Sequence, residues 1–454
     1  MPSSGRNWGR WVMTFEWQSL VLGNVCSKIG SGATPRGGKE AYRGGATALI
    51  RSQNIHNDRF VRDGLVFIDD EQAAELRNVV VERNDVLLNI TGDSVARCCQ
   101  VTPDVLPARV NQHVAIIRPK ADVLDSRFLR YSLVSSSMQA QLLALASAGA
   151  TRNALTKGMI ETLVIKAPQI EEQHAIAEIL GALDDRIDNL RQINTTLEAI
   201  AAALFKSRFV NFDGVPPGDM QESEVGLIPK GWRVASFEGL LEGSIGGDWG
   251  KEKPEGDEDQ PVCIIRGTDF PDLKSGGKGG VPTRYTSKKK LASRILQAGD
   301  IVIEVSGGSP KQPTGRSVRI TDSILARFDH PVVCASFCRR FRPKNLALGV
   351  LAACHLDALY QAGGTWKYQN QSTGISNFQT THFLVAEKVV LPPEDIAEKF
   401  YKLISPFCER MTANESLTLA QIRDTLLPKL ISGELRIMSK TDSRTKFELA
   451  LPTC

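Results

Sequence analysis

Arg284, Lys288, Lys289, Lys290 and Arg294 form a dense basic cluster, and Lys311, Gln312, Arg316 and Arg319 follow a glycine-rich turn at Ser306 to Ser309. Side chains of these types hold phosphate oxygens, while arginine or lysine paired with guanine and asparagine or glutamine paired with adenine distinguish bases. Earlier in the chain, Arg36, Lys39 and Arg43 lie in a glycine-rich stretch, and Asn89, Thr91 and Arg97 occupy comparable places after an apolar run. These fourteen residues, Arg319 apart, are the candidate DNA-binding set. The stretch Thr365 to Gln371 (TWKYQNQ) adds stackable rings and amides suited to a groove.

Catalytic chemistry is poorly provided for. There is no G-x-x-x-x-G-K-S/T phosphate loop. Nor is there an Asn or Asp followed by Pro-Pro and an aromatic residue, the loop with which amino-methyltransferases grip a flipped base; the pairs at Pro216 and Pro392 continue into Gly and Glu. Asp300 and Glu304 fall on one strand face and resemble nuclease carboxylates, but a lysine at the required spacing is missing. Nine cysteines without C-x-x-C spacing read as reduced thiols. The nearest approach to a zinc site, Cys334, Cys338 and Cys354-His355, is outweighed by a reading of Val332 to Phe337 as a buried strand. We therefore expect no catalytic residue, no metal and no cofactor in this chain.

The elements that position these residues occur twice. Trp17, Gly32, Ile50, Arg51, Asp85 and Gly92 recur as Trp232, Gly247, Ile265, Arg266, Asp300 and Gly307, all displaced by 215 positions. Arg118, Pro119, Asn153 and Pro168 recur as Arg342, Pro343, Asn377 and Pro392 at an offset of 224. Repeats this long predict two full domains related by a pseudo-two-fold axis, an arrangement suited to a two-fold partner such as duplex DNA. Arg51 and Arg266, present in both copies, read as structural or phosphate-binding. Short apolar runs at Val79 to Val81, Asp85 to Ile90, Val114 to Ile117, Asp300 to Val305 and Val332 to Phe337 predict strands, and Arg127 to Ala146 predicts a helix, so each copy is α+β.

At 454 residues and 42% apolar, the chain has material for two cores. No run approaches the length of a membrane span, and the amino terminus lacks a signal-like apolar stretch, which predicts a cytoplasmic protein without a membrane partner. The net charge of +4 is small, but residues 17–168 hold 18 Lys/Arg against 14 Asp/Glu, whereas 169–209 hold 4 against 7. Basic modules joined by an acidic helix fit contact with phosphates on one side and protein on the other.

From Glu171 the pattern becomes a heptad. Ile176, Leu183, Leu190, Leu197 and Leu204 form one column, and Ile179, Ile193 and Ile200 a second, three residues on, with Arg186 in the fourth place. These eight apolar residues are the candidate partner-docking helix. Phe400, Leu403, Phe407, Met411, Asn414 and Leu417 give a looser stripe, continuing through Ile422 and Leu426, with Asn414 as the polar seam residue. The expected organisation is a leader at 1–16, a domain at 17–168, a helix at 169–212, a linker at 213–231, a domain at 232–392, a helix at 393–437 and a tail at 438–454.

The stretch Glu171 to Phe212 (EEQHAIAEILGALDDRIDNLRQINTTLEAIAAALFKSRFVNF) closely resembles the central conserved region of type I restriction-modification specificity subunits. Ser223 to Trp232 (SEVGLIPKGW) and Arg423 to Leu435 (RDTLLPKLISGEL) resemble the segment before that family's second recognition domain and its distal conserved region. The chain departs from the family where Pro392 is followed by PEDIAEKF in place of an EEQ-type start. The resemblance implies two target-recognition domains held apart by two long antiparallel coiled-coil helices, each domain reading half of a bipartite DNA target, with half-sites about one helical turn, roughly 34 Å, apart. It also implies docking of two methyltransferase subunits and of restriction/translocase subunits, with S-adenosylmethionine, ATP and Mg on those partners. The same layout without DNA affinity would describe a duplicated coiled-coil adaptor for proteins.

Overall fold

The structure, a computed structural model, describes residues 17–35, 42, 44–57, 59–148, 153–307, 312–372 and 375–437. The leader at 1–16, the tail at 438–454, and Arg36, Lys39, Arg43 and Lys311 lie outside the described residues. The chain forms two compact units, Met1–Asp185 with Ala420–Cys454, and Arg186–Leu419.

In the first unit, strands Cys26–Ser31, Val114–Pro119, Val86–Asn89 and Cys98–Gln100 make an antiparallel sheet in that order. A second sheet runs Val66–Ile68, Thr47–Ile50, Ala108–Val110, Val80–Val81, and its central pair is parallel. Successive side chains of a strand point to opposite faces, and here both faces are apolar. Val86, Leu88, Ala115 and Ile117 therefore enter one core, while Leu87, Val114 and Ile116 enter another. Helices Ser126–Val134 and Ser136–Ser147 cover the first core with Phe128, Leu129, Leu133 and Leu142. They replace the single helix expected from Arg127 to Ala146; the break falls at Ser135, whose backbone is extended and whose Oγ donates to the Ser132 carbonyl at 2.7 Å.

The second unit repeats this frame. Leu241–Gly246, Cys338–Pro343, Ile301–Glu304 and Ser317–Arg319 form the equivalent four-stranded sheet, and Thr283–Thr286, Gln260–Ile265 and Val332–Cys334 the equivalent mixed sheet. The strand expected from Val332 to Phe337 stops at Cys334, because the Cys338 N–H turns back onto the Ala335 carbonyl. Each unit is closed by one antiparallel pair, Gln18–Val21 with Val164–Ala167 and Arg233–Ser236 with Lys388–Leu391.

The recurring residues hold this frame. Asp85, 1% exposed, accepts Arg118 Nε and Nη2 at 2.7 and 2.8 Å and the Glu82 N–H at 2.7 Å. Asp300 accepts Arg342 Nε and Nη2 at 2.8 Å each and the Gln297 N–H at 2.8 Å. A Cβ on Gly32 or Gly247 would lie 2.0 or 2.1 Å from the carbonyl oxygen of Val110 or Ala335, so only glycine fits. Arg51 and Arg266 start matched turns: their N–H groups donate to Asn54 and Asp269, and their guanidinium groups to the Gly64 and Gly280 carbonyls. Both are structural.

The central helix, Ile170–Lys206, contributes its first part to one unit and the rest to the other. Its buried positions are Gln173, Ile176, Ala177, Leu180, Gly181, Ile187, Leu190, Ala201 and Phe205. The column from Ile176 to Leu204 lies on or beside this stripe, but its companion lies four residues on, not three. Ile179 and Ile200, both 41% exposed, and half-buried Ile193 are thus outside the seam. Residues at i+3 and i+4 both face near i, and which enters the core is decided by the surface met. Arg186 leaves the seam as well, and pairs with Glu415 at 3.0 Å.

In the first unit Ile176, Ala177 and Leu180 pack with Leu426, Leu427 and Leu430. Asp184 accepts Arg130, Tyr131 and Arg423 at 2.6 to 2.7 Å. Burial opposes its ionisation, but Arg130, Arg423 and Tyr131 hold it below the usual carboxylate range. In the second unit Ala201 and Phe205 pack on Ala397, Phe400 and Ile404. Asn194 is the polar seam residue, donating to the Met411 carbonyl at 3.3 Å, in place of the expected Asn414. The distal helix is two helices, Glu394–Met411 and Glu415–Ser432. Between them the Thr412 carbonyl accepts Arg327, which also binds the carbonyls of Leu273 and Gly277. Burial without a carboxylate partner lowers the Arg327 pKa to about 10.

Removing the carboxylate from either buried pair leaves an arginine uncompensated. Asp85→Ala and Asp300→Ala should each cost about 3 to 5 kcal/mol in denaturant unfolding. Asp104→Ala, in the exposed pair with Arg62, should cost less than about 1 kcal/mol.

Candidate nucleic-acid interface

The basic cluster of the second unit separates into two kinds of cation. Helix Lys288–Arg294 begins at Ser287, whose Oγ accepts the Lys290 N–H at 3.3 Å. Lys288 and Lys289 are exposed and have no ion pair among the described residues. Lys290 lies 2.6 Å from Glu258 and 3.6 Å from Asp248, and the Glu258 hydrogen bond raises its pKa. Arg284 pairs with Glu252 at 2.9 Å and stacks 5.0 Å from the Trp249 ring centre, and Arg294 donates to the Gly246 carbonyl at 3.1 Å. Lys290, Arg284 and Arg294 thus each spend at least one donor on holding a loop, unlike Lys288 and Lys289.

Arg316 is likewise committed, with Nε and Nη2 on Glu304 at 2.9 and 2.8 Å. Glu304 and Asp300 are each closed by an arginine, which removes the nuclease-like reading of that strand. Gln312 is exposed; its Nε2 lies 3.4 Å from the Tyr360 hydroxyl and its carbonyl oxygen is turned to no described donor. Lys311, Arg36, Lys39 and Arg43 fall outside the described residues.

In the first unit Asn89 is fully buried, and its Nδ2 donates to the Ser52 carbonyl and Ser94 Oγ at 2.9 and 3.1 Å. It braces a turn and presents no edge to a base, contrary to the expectation from its position. Thr91 Oγ1 lies 2.6 Å from His113 Nδ1. Arg97 is exposed without an ion pair among the described residues. Of the sequence-derived set, Arg97, Lys288, Lys289 and Gln312 are therefore the described side chains that are exposed and without an ion pair among the described residues.

The TWKYQNQ stretch forms a turn, Gly364–Tyr368, leading into a hairpin of Gln369–Ser372 and Ile375–Phe378, joined on its edge by Ser306–Gly307. Trp366 is 40% exposed, while Tyr368 is buried and donates to Glu387 at 2.6 Å. Gln369 turns inward and accepts the Thr314 N–H at 2.9 Å. Asn370 and Asn377 sit opposite one another across the hairpin, and both are exposed. Burial works against the Glu387 carboxylate, but hydrogen bonds from His355, Tyr368 and Lys367 hold its pKa at about 2.

Outside the sequence-derived set, the structure groups Thr34, Gln112 and His113 in the first unit and Trp249 and Phe337 in the second. Pairing the two copies position by position would have found most of them, since they are places where the frame repeats and the side chain does not. Among the described residues no cluster of three or more His, Cys, Asp or Glu could hold a metal, and Cys334 and Cys338 belong to a different core from Cys354. No helix among the described residues is long and apolar enough to cross a membrane.

Lys289→Ala should weaken duplex binding to all sequences and reduce the salt slope by about one; Lys290→Ala should lower thermal stability as well. Glu387 has a folded pKa below its ordinary 4.5, so it stabilises the protein above that value. The stability advantage of wild type over Glu387→Gln should shrink as pH falls from about 4.5 and vanish near about 2, followed by unfolding at each pH.

Residues 15–199 match the model of the type I restriction modification DNA specificity domain. The chain is 26% identical over 437 residues to the type I restriction enzyme MjaIX specificity subunit of Methanocaldococcus jannaschii, covering 93% of this chain and 94% of that protein. It is 28% identical over 484 residues to the HindI specificity subunit of Haemophilus influenzae, covering 92% and 100%. The crystal structure of a type I restriction-modification S subunit from M. genitalium superposes with a TM-score of 0.57 at 16% identity, over 93% of this chain and 97% of that one. That similarity bears out the α+β fold.

Proposed function

We propose that the chain is a member of the type I restriction-modification specificity-subunit family and is the noncatalytic subunit that selects a bipartite DNA sequence for such a complex. The observation that carries this reading is the doubled frame. Two units built on the same Asp-Arg pair, the same glycine and the same arginine turn are suited to two half-sites, and each contributes its own exposed polar surface. The continuous helix Ile170–Lys206, which takes part in both units, suits the role of spacer.

In this reading the target adenine is flipped into a methyltransferase subunit and not into this chain. Two methyltransferase subunits dock on the long helices, and restriction/translocase subunits join them. S-adenosylmethionine, ATP and Mg belong to those partners. The heptad-spaced Ile179 and Ile200 support the docking role better outside the seam than within it, since their apolar surface is left exposed in the unit that holds each of them, and half-buried Ile193 is partly so. A cytoplasmic location belongs to the same reading and agrees with eight free cysteines among the described residues.

Genome-wide N6-methyladenine mapping with and without this gene tests the proposal. A split motif with a fixed gap should disappear on deletion. An unchanged methylation pattern, together with no salt-dependent duplex binding by the assembled protein, would favour the protein-adaptor reading instead. Cleavage or methylation of DNA by the purified chain alone would contradict a noncatalytic role.

A further inference from the structure

The two units share a frame and differ on one face. In the first unit, Thr34 Oγ1 donates to Gln112, Gln112 Nε2 lies 3.4 Å from His113 Nε2, and His113 Nδ1 lies 2.6 Å from Thr91 Oγ1. The next residue, Gly92, donates its N–H to the carbonyl of Asn153 at 3.2 Å, which places exposed Asn153 beside the group. At offsets of 215 and 224 the counterparts are Trp249, Ser336, Phe337, Ser306 and Asn377. They are also together: the Trp249 and Phe337 rings are 5.3 Å apart, the Ser306 N–H donates to the Phe337 carbonyl at 3.2 Å, and Ser306 Oγ donates to Asn377 Oδ1.

A face that served only to hold the fold would need the same side chains on the same backbone, as Asp85 and Asp300 do. Here a linked polar group in one unit is replaced by an aromatic pair in the other, and only the asparagine recurs. Phe337 is 38% exposed, so burial in a core does not account for it. We infer that these two faces are the base-reading surfaces, one for each half-site, and that their differing chemistry makes the half-sites differ.

The inference rests on the DNA-specificity reading and deepens it. In the first unit exposed Gln112, beyond its contacts with Thr34 and His113, keeps one amide hydrogen and one carbonyl lone pair for an adenine edge, and His113, held by Thr91, positions that amide. In the second, Phe337 backed by Trp249 offers apolar contact to a thymine methyl group. Asn377, whose Oδ1 is oriented by Ser306, presents its Nδ2 to a base, with Asn370 across the hairpin. A two-stranded ribbon of this kind is admitted by the major groove.

The test is selection from a library of duplexes with randomised cores by the full chain, co-purified with its methyltransferase, followed by sequencing. Gln112→Ala and His113→Ala should each relax preference at one or two positions of one half-site, with discrimination there falling on the order of tenfold, and leave the other half unchanged. Phe337→Ala and Asn377→Ala should do the same in the opposite half only. Gln112→Glu and Phe337→Leu, gentler to the fold, should change preference at those same positions. A wild-type motif that every variant selects unaltered, or a uniform loss of affinity with no change in motif, would overturn the inference. If wild type itself enriches no bipartite sequence, the specificity reading fails before this one is reached.

Discussion

A buried carboxylate gripped by one arginine organises each unit. Taking an aspartate and an arginine from water costs several kcal/mol per ion, and the pair is tolerated only when its hydrogen bonds are satisfied. Both pairs meet that condition in the same way, with Nε and Nη2 of the arginine on the two oxygens and a backbone N–H from three residues earlier on the second oxygen. The arginine comes from one sheet strand and the aspartate from the start of its neighbour, so the interaction sets their register. The glycine contacts and arginine turns of the frame then fall into place around that register.

The long helices follow a second constraint, the need to cover apolar surface that differs along their length. Near its start the central helix meets the core of the first unit with Ile176, Ala177 and Leu180; further on it meets Phe400 and Ile404 with Ala201 and Phe205. Between these stretches polar contacts join the buried Ile187 and Leu190, with Asn194 on the Met411 carbonyl and Asp184 joining Arg130 and Arg423. The distal helix breaks at Thr412, where a peptide carbonyl is taken by Arg327 in the second unit and cannot continue the helical ladder.

The same economy of charge explains the sparse cationic surface. Lys290, Arg284, Arg294 and Arg316 stand in the most basic part of the sequence, yet each is engaged by a carboxylate or carbonyl. In the proposed reading, phosphate contact falls to exposed side chains such as Arg97, Lys288 and Lys289, and base contact to amides and rings. A protein whose net charge is only +4 can still offer a localised site of this kind, because screening limits each charge to roughly its nearest 10 Å.

The sequence by itself determined the duplication, the α+β class, the long helix and the resemblance to specificity subunits, because each depends on residue types repeated at fixed spacing. Gly32 and Gly247, Asp85 and Asp300, and Arg118 and Arg342 were legible as pairs before any contact was known. Tertiary structure decided which of two neighbouring columns entered the helix seam, since Ile179 and Leu180 are equally apolar and differ only in the surface each meets. It also decided which cations were available: Lys289 and Lys290 are identical side chains, and only the folded chain brings Glu258 and Asp248 to one of them. Asn89 and Asn377 divide for the same reason, one enclosed by Ser52 and Ser94 and the other left on an exposed hairpin face. Burial and hydrogen-bond partners come from residues distant in sequence, and spacing along the chain carries no record of them.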